Sequence, residues 1–322
     1  MDWLSRLFEL IPVQGRVDLR CLYGAPWRIE QGPAATGEMP YHAVVAGTAI
    51  LEDPGRGPQR RLLPGDVLLL PQGDFHVLHD GTGTAPDPAH NRGALNVTFS
   101  ENTGTGERLD LLCGHFAFAA PHHRLLQGYL PRVLVVRTAE RGAPADTSAL
   151  QPSTGAQLAG LVSLMRIESA ADNLGGRAML NALSTAMFTL ILRLSSEAGD
   201  APHGLLALAG YPRLAPALAA LFREPARPWS LPELARLCNM SRATLARHFH
   251  EKLGKSASDL LTDIRMTLAA NELKKSSAST AAVAETVGYH SEAAFQRVFK
   301  QRMGTTPARW RRAAHAPDPA GA

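Results

Sequence analysis

Residues 2–11 place Trp3, Leu4, Leu7, Phe8 and Ile11 at helical spacing, which predicts a short amphipathic helix. From Tyr41 onward the pattern changes to short apolar runs divided by Gly and Pro: Tyr41 to Leu51, Arg61 to Leu63, Val67 to Leu70, Phe75 to Leu78, Leu95 to Phe99 and Leu111 to Phe118. Runs of this length with such punctuation predict an all-β region. The stretches Asp80 to Asn91 and Glu101 to Glu107, rich in Gly, Thr, Pro and Asp, read as mobile loops. Beyond Ala145 the spacing becomes helical, with Leu158, Leu161 and Met165, then Leu180, Leu183, Met187, Leu190 and Leu194, alternating three and four apart. Two antiparallel helices follow, whose stripes serve either an intramolecular core or a dimer seam, because a two-helix hairpin must bury its apolar face somewhere. Ser195 to Gly204 reads as a linker.

The remaining chain is helical to about Arg312. Ser230-Leu231-Pro232-Glu233 has the form of a capping box with Pro in the first turn, so a helix starts there with Leu231, Leu234, Ala235 and Cys238 on one face. After an Asn239-Met240 turn, Ser241 caps a second helix that turns Leu245, Phe249 and Leu253 inward. That is helix-turn-helix spacing. The unit recurs fifty positions later, with Ser291 over Ser241, Phe295 over Leu245, Arg297 over Arg247, Phe299 over Phe249 and Gly304 over Gly254. Leu260, Leu261, Ile264, Leu268 and Leu273 mark a long helix between the copies.

Composition narrows the class. In 322 residues, 45% are hydrophobic and 19% charged, which excludes a disordered chain and leaves material for two cores. No apolar run reaches the ~18–20 residues that cross a bilayer, and Met1-Asp2-Trp3-Leu4-Ser5-Arg6 lacks a signal-peptide pattern, so the expectation is a soluble, cytoplasmic protein without membrane association. Three cysteines, Cys21, Cys113 and Cys238, are too few for a disulfide framework or a Cys-rich zinc site. Charge is divided unevenly: residues 205–322 hold 17 Lys and Arg against 9 Asp and Glu, whereas the rest holds 16 against 20. A basic half joined to a mildly acidic one fits a nucleic-acid-binding module attached to something else.

The run Val287-Gly288-Tyr289, Ser291, Phe295, Arg297, Phe299-Lys300, Gly304, Pro307 and Trp310-Arg311 closely resembles the signature of the AraC/XylS family of transcription regulators, over about residues 213–312. Gly288 suits a left-handed C-cap, Ser291 caps the next helix, and Gly304 and Pro307 end it. The resemblance implies two helix-turn-helix units whose recognition helices enter successive major grooves. The residues carried over are Ser241, Arg242, Ala243, Ala246 and Arg247 in the first helix, and Ser291, Glu292, Ala293, Ala294, Gln296 and Arg297 in the second. Arg247 and Arg297 suit bidentate guanine or phosphate contacts, the alternative being ordinary solvated surface. Ala243 and Ala246 suit thymine methyl groups, the alternative being that the first unit contributes mainly backbone contacts, and Glu292 either accepts from a cytosine amine or only favours the helix dipole.

Gly65-x5-Pro71-x-Gly73-x2-His76 resembles the second motif of cupin β-barrels. Metal-binding cupins usually bring two histidines and a glutamate from an earlier strand pair, whereas Tyr41-His42-Ala43 offers one histidine, with Glu52 near the strand turn. The metal set is incomplete, so no metal or other cofactor is assigned; His42 and His76, with His79 beside them, are the candidates if one binds, and structural or pocket histidines otherwise. Trp3-Leu4-Ser5-Arg6-Leu7, Cys21, the cupin segment and Leu112-Cys113-Gly114-His115-Phe116 together look like a cupin-bearing AraC subgroup that includes regulators responding to reactive chlorine species. A sensing thiol needs exposure and a depressed pKa, for which Arg20 beside Cys21 and His115 beyond Cys113 could supply positive charge. The ordinary reading of each cysteine is a small buried hydrophobe, and Cys238, on a core-facing position, is read that way.

The expected fold is therefore α+β in two domains: a cupin-like β-barrel with a helical hairpin over residues 1–200, for sensing and dimerisation, and an all-α double helix-turn-helix over 205–312, with a flexible tail at 313–322. The expected function is a non-enzymatic, sequence-specific transcription regulator. Its partners would be promoter DNA, RNA polymerase, a second copy of the chain and a small-molecule or oxidant effector, with oxidant sensing assigned to Cys21 and Cys113. The rival is a metal-dependent cupin enzyme with an appended helical domain, against which the incomplete ligand set stands.

Overall fold

The computed structural model describes residues 2–52, 57–119, 123–138, 152–197, 204–275 and 277–315. Among these the helices are α1 (Trp3–Leu10), α2 (His123–Gln127), α3 (Thr154–Ala170), α4 (Gly176–Glu197), α5 (Leu205–Ala209), α6 (Ala215–Arg223), α7 (Leu231–Leu237), α8 (Arg242–Leu253), α9 (Ala257–Lys275), α10 (Thr280–Thr286), α11 (Glu292–Met303) and α12 (Pro307–His315). The strands are β1 (Val13–Gly24), β2 (Arg28–Gln31), β3 (Glu38–Ala46), β4 (Ala49–Glu52), β5 (Arg60–Leu62), β6 (Asp66–Leu69), β7 (His76–His79), β8 (His90–Gly93), β9 (Thr98–Glu101), β10 (Arg108–Phe118) and β11 (Leu134–Arg137). They divide into two compact units, one of Val13–Phe118 with Leu130–Pro202, the other of Met1–Pro12, Ala119–Tyr129 and His203–Ala322.

The first unit is a two-sheet β structure with a helical hairpin. A seven-stranded sheet, β11-β6-β3-β10-β1-β9-β8, and a four-stranded sheet, β2-β7-β4-β5, enclose a core that includes Cys21, Trp27, Val44, Leu68, Leu78, Leu111 and Cys113. Alternation along each strand decides what faces this core: Cys21 and Tyr23 point in, and Arg20 lands on the other face. There the Gly15 N–H donates to Thr185 Oγ1 at 2.8 Å on α4, and Tyr41 stacked on Phe116, with Phe188 tilted against it, fills the contact. Leu158 and Met165 of α3, and Leu180 and Met187 of α4, are buried in the intramolecular core, while Leu161, Leu183, Leu190 and Leu194 of the predicted stripes are half-buried. The 22-residue α4 is long and apolar enough to cross a membrane by length and composition, but Leu180, Phe188, Ile191 and Leu192 are packed inside the unit.

Several strands depart from the sequence reading. The Tyr41–Leu51 run divides into β3 and β4 around Gly47 at φ +78. The longest strand, β1, had no apolar run to announce it, because Gln14, Arg16, Asp18 and Arg20 occupy its alternate positions. β8 begins in the last two residues of what reads as a mobile loop, and Leu95 is exposed ahead of β9.

The second unit is helical. The apolar face of α1, with Leu4, Leu7 and Leu10 buried, belongs here and not with the sheets: the Trp3 and Phe222 rings lie 6.1 Å apart, and Asn271 donates to the Leu10 carbonyl at 2.8 Å. Residues 119–129 also join this unit, so its membership does not follow a single cut near residue 200. The reason is that α1 finds its complementary apolar surface on α6 and α9. The repeat is realised as α7-turn-α8 and α10-turn-α11, with Leu245, Phe249, Phe295 and Phe299 fully buried, each worth roughly 1.5–3 kcal/mol. Leu231 departs from its predicted core face and is 38% exposed, beside buried Leu234, Ala235 and Cys238. The helix α12 runs to His315, past the predicted start of the tail at 313, and residues 316–322 lie outside the described residues, as do 198–203 of the predicted linker.

Candidate nucleic-acid interface and buried thiol cluster

Each recognition helix is opened by a serine and closed by a glycine. The Ser241 hydroxyl accepts from the Thr244 N–H at 3.1 Å and that of Ser291 from the Ala294 N–H at 3.3 Å; Gly254 and Gly304 end the helices in the left-handed region. Because the copies are offset by fifty residues, their burial patterns coincide. Arg242, Ala243, Ala246 and Arg247 of α8 and Glu292, Ala293, Gln296 and Arg297 of α11 are exposed. Ala294, expected among them, is half-buried like its counterpart Thr244. Arg247 pairs with Glu251 at 3.1 Å, an i,i+4 contact that DNA binding would have to exchange. Arg297 has no ion-pair partner among the described residues, and Gln301 stands where Glu251 does in the first copy. The Glu292 carboxylate accepts from the Gln296 amide at 2.9 Å, so both side chains are engaged with each other.

Two contacts tie the two copies to one another and a third ties α11 to α9; the sequence singled out Gly288 only as a helix cap, and Arg265 and Arg302 not at all. Arg265 of α9 donates to the carbonyls of Pro225 (2.7 Å), Arg227 (2.9 Å), Ala226 (3.2 Å) and Gly288 (3.3 Å), tying the loop before the first copy to the turn of the second. Gly288, at φ +83, passes so close that a Cβ there would lie 2.2 Å from the Ala226 oxygen. Arg302 of α11 pairs with Asp259 (2.9 Å) and Asp263 (3.1 Å) of α9, and Asp263 also accepts from the Tyr129 hydroxyl at 2.5 Å. The signal for Arg265 was a lone cation in an apolar stretch of the central helix, between Ile264 and Met266.

In the β unit the structure brings together Cys21, Cys113, His42 and His76. Cys113 of β10 sits directly across from His42 of β3, and Cys21 of β1 is its diagonal neighbour, with Leu19 opposite Cys113. The sulfurs are 3.8 Å apart, His42 Nδ1 is 3.1 Å from Cys113 Sγ, and His42 Nε2 meets His76 Nε2 of the facing sheet at 2.8 Å. His76 Nδ1 lies 2.9 Å from the Asp74 carbonyl. All four side chains are buried, so neither cysteine has the exposure expected of a sensing thiol. Contact with the Cys113 thiol holds Cys21 below the usual thiol range, while that same contact and burial push Cys113 well above it. Burial, with His76 adjacent, holds His42 far down, at about 3, and burial lowers His76 also, so both imidazoles are neutral near pH 7.

The charges expected to activate the thiols are elsewhere. Arg20, on the opposite face of β1, forms a fork on Asp110 at 2.7 and 3.0 Å and donates to the Arg166 carbonyl and the Ser169 hydroxyl of α3. His115 Nδ1 is bound to Asp18 at 2.6 Å. His79 faces Glu52 at 3.7 Å and does not join His42 and His76. Among the described residues no group of three or more His, Cys, Asp and Glu side chains is arranged to hold a metal ion. Cys238 is buried, as its position implied.

Residues 2–197 match the Cupin family, and residues 234–313 match the Helix-turn-helix domain family. The chain is 30% identical to the HTH-type transcriptional regulator MtrA of Neisseria gonorrhoeae, covering 97% of this chain and 98% of that protein. It is 28% identical to the RCS-specific HTH-type transcriptional activator RclR of Escherichia coli, covering 97% of both chains. A similar match, 30% identical over 97% of this chain and 98% of the relative, is to an AraC-like transcription regulator of Streptomyces lividans. Likeness of this extent, over both units and with two helix-turn-helix copies in place, separates the chain from metal-dependent cupin enzymes: it belongs to the AraC-like helix-turn-helix transcriptional regulators that carry an N-terminal cupin domain.

Proposed function

We propose that this regulator reads promoter DNA with the exposed residues of α8 and α11 in successive major grooves, acts as a homodimer with RNA polymerase as downstream partner, and takes its signal in the cupin unit from an oxidant acting at Cys21 and Cys113. It works in the cytoplasm, where thiols start reduced. The observation that carries the sensing assignment is the 3.8 Å approach of two buried sulfurs, one of them beside a neutral imidazole. Chain connectivity supports it. Cys21 and Cys113 lie on β1 and β10, the strands at whose paired ends, Val13 opposite Phe118, the chain passes into the helical unit. Closing the sulfurs to the ~2.05 Å of a disulfide moves strands that are diagonal neighbours, whose Cα atoms normally lie ~7–8 Å apart, beyond the usual disulfide span. Cys21 lies eight residues along β1 from that end and Cys113 five along β10, so the strain of closure would reach it along these two strands.

A second reading has its own support in a cavity of about 420 Å³ lined by Pro33, Glu52, Asp74, Phe75, His76, Val77 and Arg132, which would receive a small polar effector. A reporter driven by the native promoter separates the two. Cells carrying wild type, Cys21→Ala, Cys113→Ala or both are treated with hypochlorous acid, and the double variant is expected to be silent. A double variant that responds like wild type overturns the thiol assignment in favour of the cavity.

A further inference from the structure

The hydrogen bonds around His42 run in one direction only. The Asp74 carbonyl accepts and cannot donate, so His76 Nδ1, 2.9 Å away, carries the proton. In the neutral ring His76 Nε2 is then the acceptor, and the proton on the 2.8 Å contact belongs to His42 Nε2. His42 Nδ1 is left with its lone pair, facing Cys113 Sγ at 3.1 Å, so while both thiols are protonated the Cys113 S–H donates to it. One backbone carbonyl thus orders two tautomers and a thiol, from the seven-stranded sheet across the core to the four-stranded sheet. The far end is not sealed, because His76 lines the cavity that also holds the carboxylates of Glu52 and Asp74 and the guanidinium of Arg132, the last two paired at 2.9 Å.

Resting on the oxidant-sensing reading, the geometry points to His42 as the base that takes the Cys113 proton during disulfide closure, and to His76 as the positioning residue that passes a proton on to the cavity. Hypochlorous acid transfers chlorine to Cys21: the S–Cl bond forms, the O–Cl bond breaks, and the thiol proton leaves with hydroxide as water. Cys113 then attacks Cys21 Sγ; the S–S bond forms, the S–Cl bond breaks, and chloride departs with the bonding pair. Both sulfurs are oxidised by one electron each and the chlorine is reduced by two. The Cys113 proton goes to His42 Nδ1, the His42 Nε2 proton goes to His76 Nε2, and His76 releases one proton at the cavity. Without this line, the closing step would leave a cation in an apolar core.

Two measurements on the full chain test the relay. In the reduced wild type, ¹⁵N spectra of labelled histidines should show the Nε2–H tautomer for His42 and the Nδ1–H tautomer for His76; the reverse pair overturns the proposal whatever the redox chemistry does. After a pulse of one equivalent of hypochlorous acid, quenched alkylation and mass spectrometry follow Cys21 chlorination and disulfide closure separately. H42N keeps an acceptor near the Cys113 thiol but no base, and H76Q keeps a hydrogen-bonding group at the cavity wall. Chlorination should be unchanged in both, closure should slow at least tenfold in H42N and less in H76Q, and the solvent deuterium isotope effect on closure should fall toward one. A wild type whose thiols survive the pulse refutes the oxidant reading and this role with it. Closure in a folded H42N as fast as in wild type refutes the relay alone.

Discussion

Replacing Arg265 with Met should loosen the two helix-turn-helix copies from one another without emptying either core. The guanidinium reaches four carbonyls from two separate segments, of which the contacts to Pro225 at 2.7 Å and Gly288 at 3.3 Å are the more buried. A hydrogen bond from a charged donor contributes about 1.5–3 kcal/mol, and the two outer bonds, to Ala226 and Arg227, are solvent-exposed and weaker. Counting the short Pro225 bond in full and the long Gly288 bond in small part gives a loss of roughly 2–3 kcal/mol. Lys at this position retains the charge but not the planar fork, and it should recover less than half of that. Hydrogen exchange of the amides around Gly288 and residues 225–229 in the full chain reads this locally, which matters because a two-unit protein does not unfold in one step. A gel shift on a site spanning two grooves should show a larger loss than on a single half-site, since only the former needs a fixed helix separation. Gly288→Ala should loosen the same seam from the opposite side, through the clash with the Ala226 oxygen and a strained φ. Wild-type exchange rates in the Arg265→Met variant would falsify the idea that this fork sets the spacing.

Arg297→Ala should weaken operator binding by roughly 1–3 kcal/mol in a gel-shift titration at fixed salt, and Arg247→Ala by less, because Arg247 must first give up Glu251; equal affinity for both variants and wild type removes them from the interface. Leu164 and Ile167 of α3 and Met179 of α4 remain exposed, and Ile167→Glu should shift the expected dimer toward monomer in light scattering, whereas a wild type already monomeric at micromolar concentration counts against the interface. The Ser256 hydroxyl and then Arg302 hold the Asp259 carboxyl below its usual range, so its stabilisation is complete above the ordinary pKa near 3.9 and is lost as pH falls through the lower folded value. Asp259→Asn should flatten that acid limb in a pH series of thermal melts, and an unchanged limb would place the acid sensitivity elsewhere.

The sequence by itself determined the second half of this protein almost completely. Ser241, Ser291 and the glycines fifty residues apart set helix starts and stops through bonds that span three or four residues, and the apolar positions at Leu245, Phe249, Phe295 and Phe299 leave only one face to turn outward. Cupin-type strands were legible where apolar runs met Gly or Pro. What only the tertiary structure decided was partnership between distant segments. Alternation could tell that Arg20 and Cys21 point to opposite faces once β1 existed, but the polar residues along β1 hid the strand, and Arg20 was read as the thiol's neighbour. His115, two residues from Cys113, was read as its companion, whereas the companion is His42, delivered by the β3–β10 register. That His76 should meet His42 depends on the packing of two sheets, and that α1 should lie on α6 and α9 depends on an apolar surface assembled from helices more than two hundred residues away in sequence. Short-range geometry is written into consecutive residues; register and inter-sheet packing are settled by the summed burial of the whole core, to which no single stretch of sequence holds the answer.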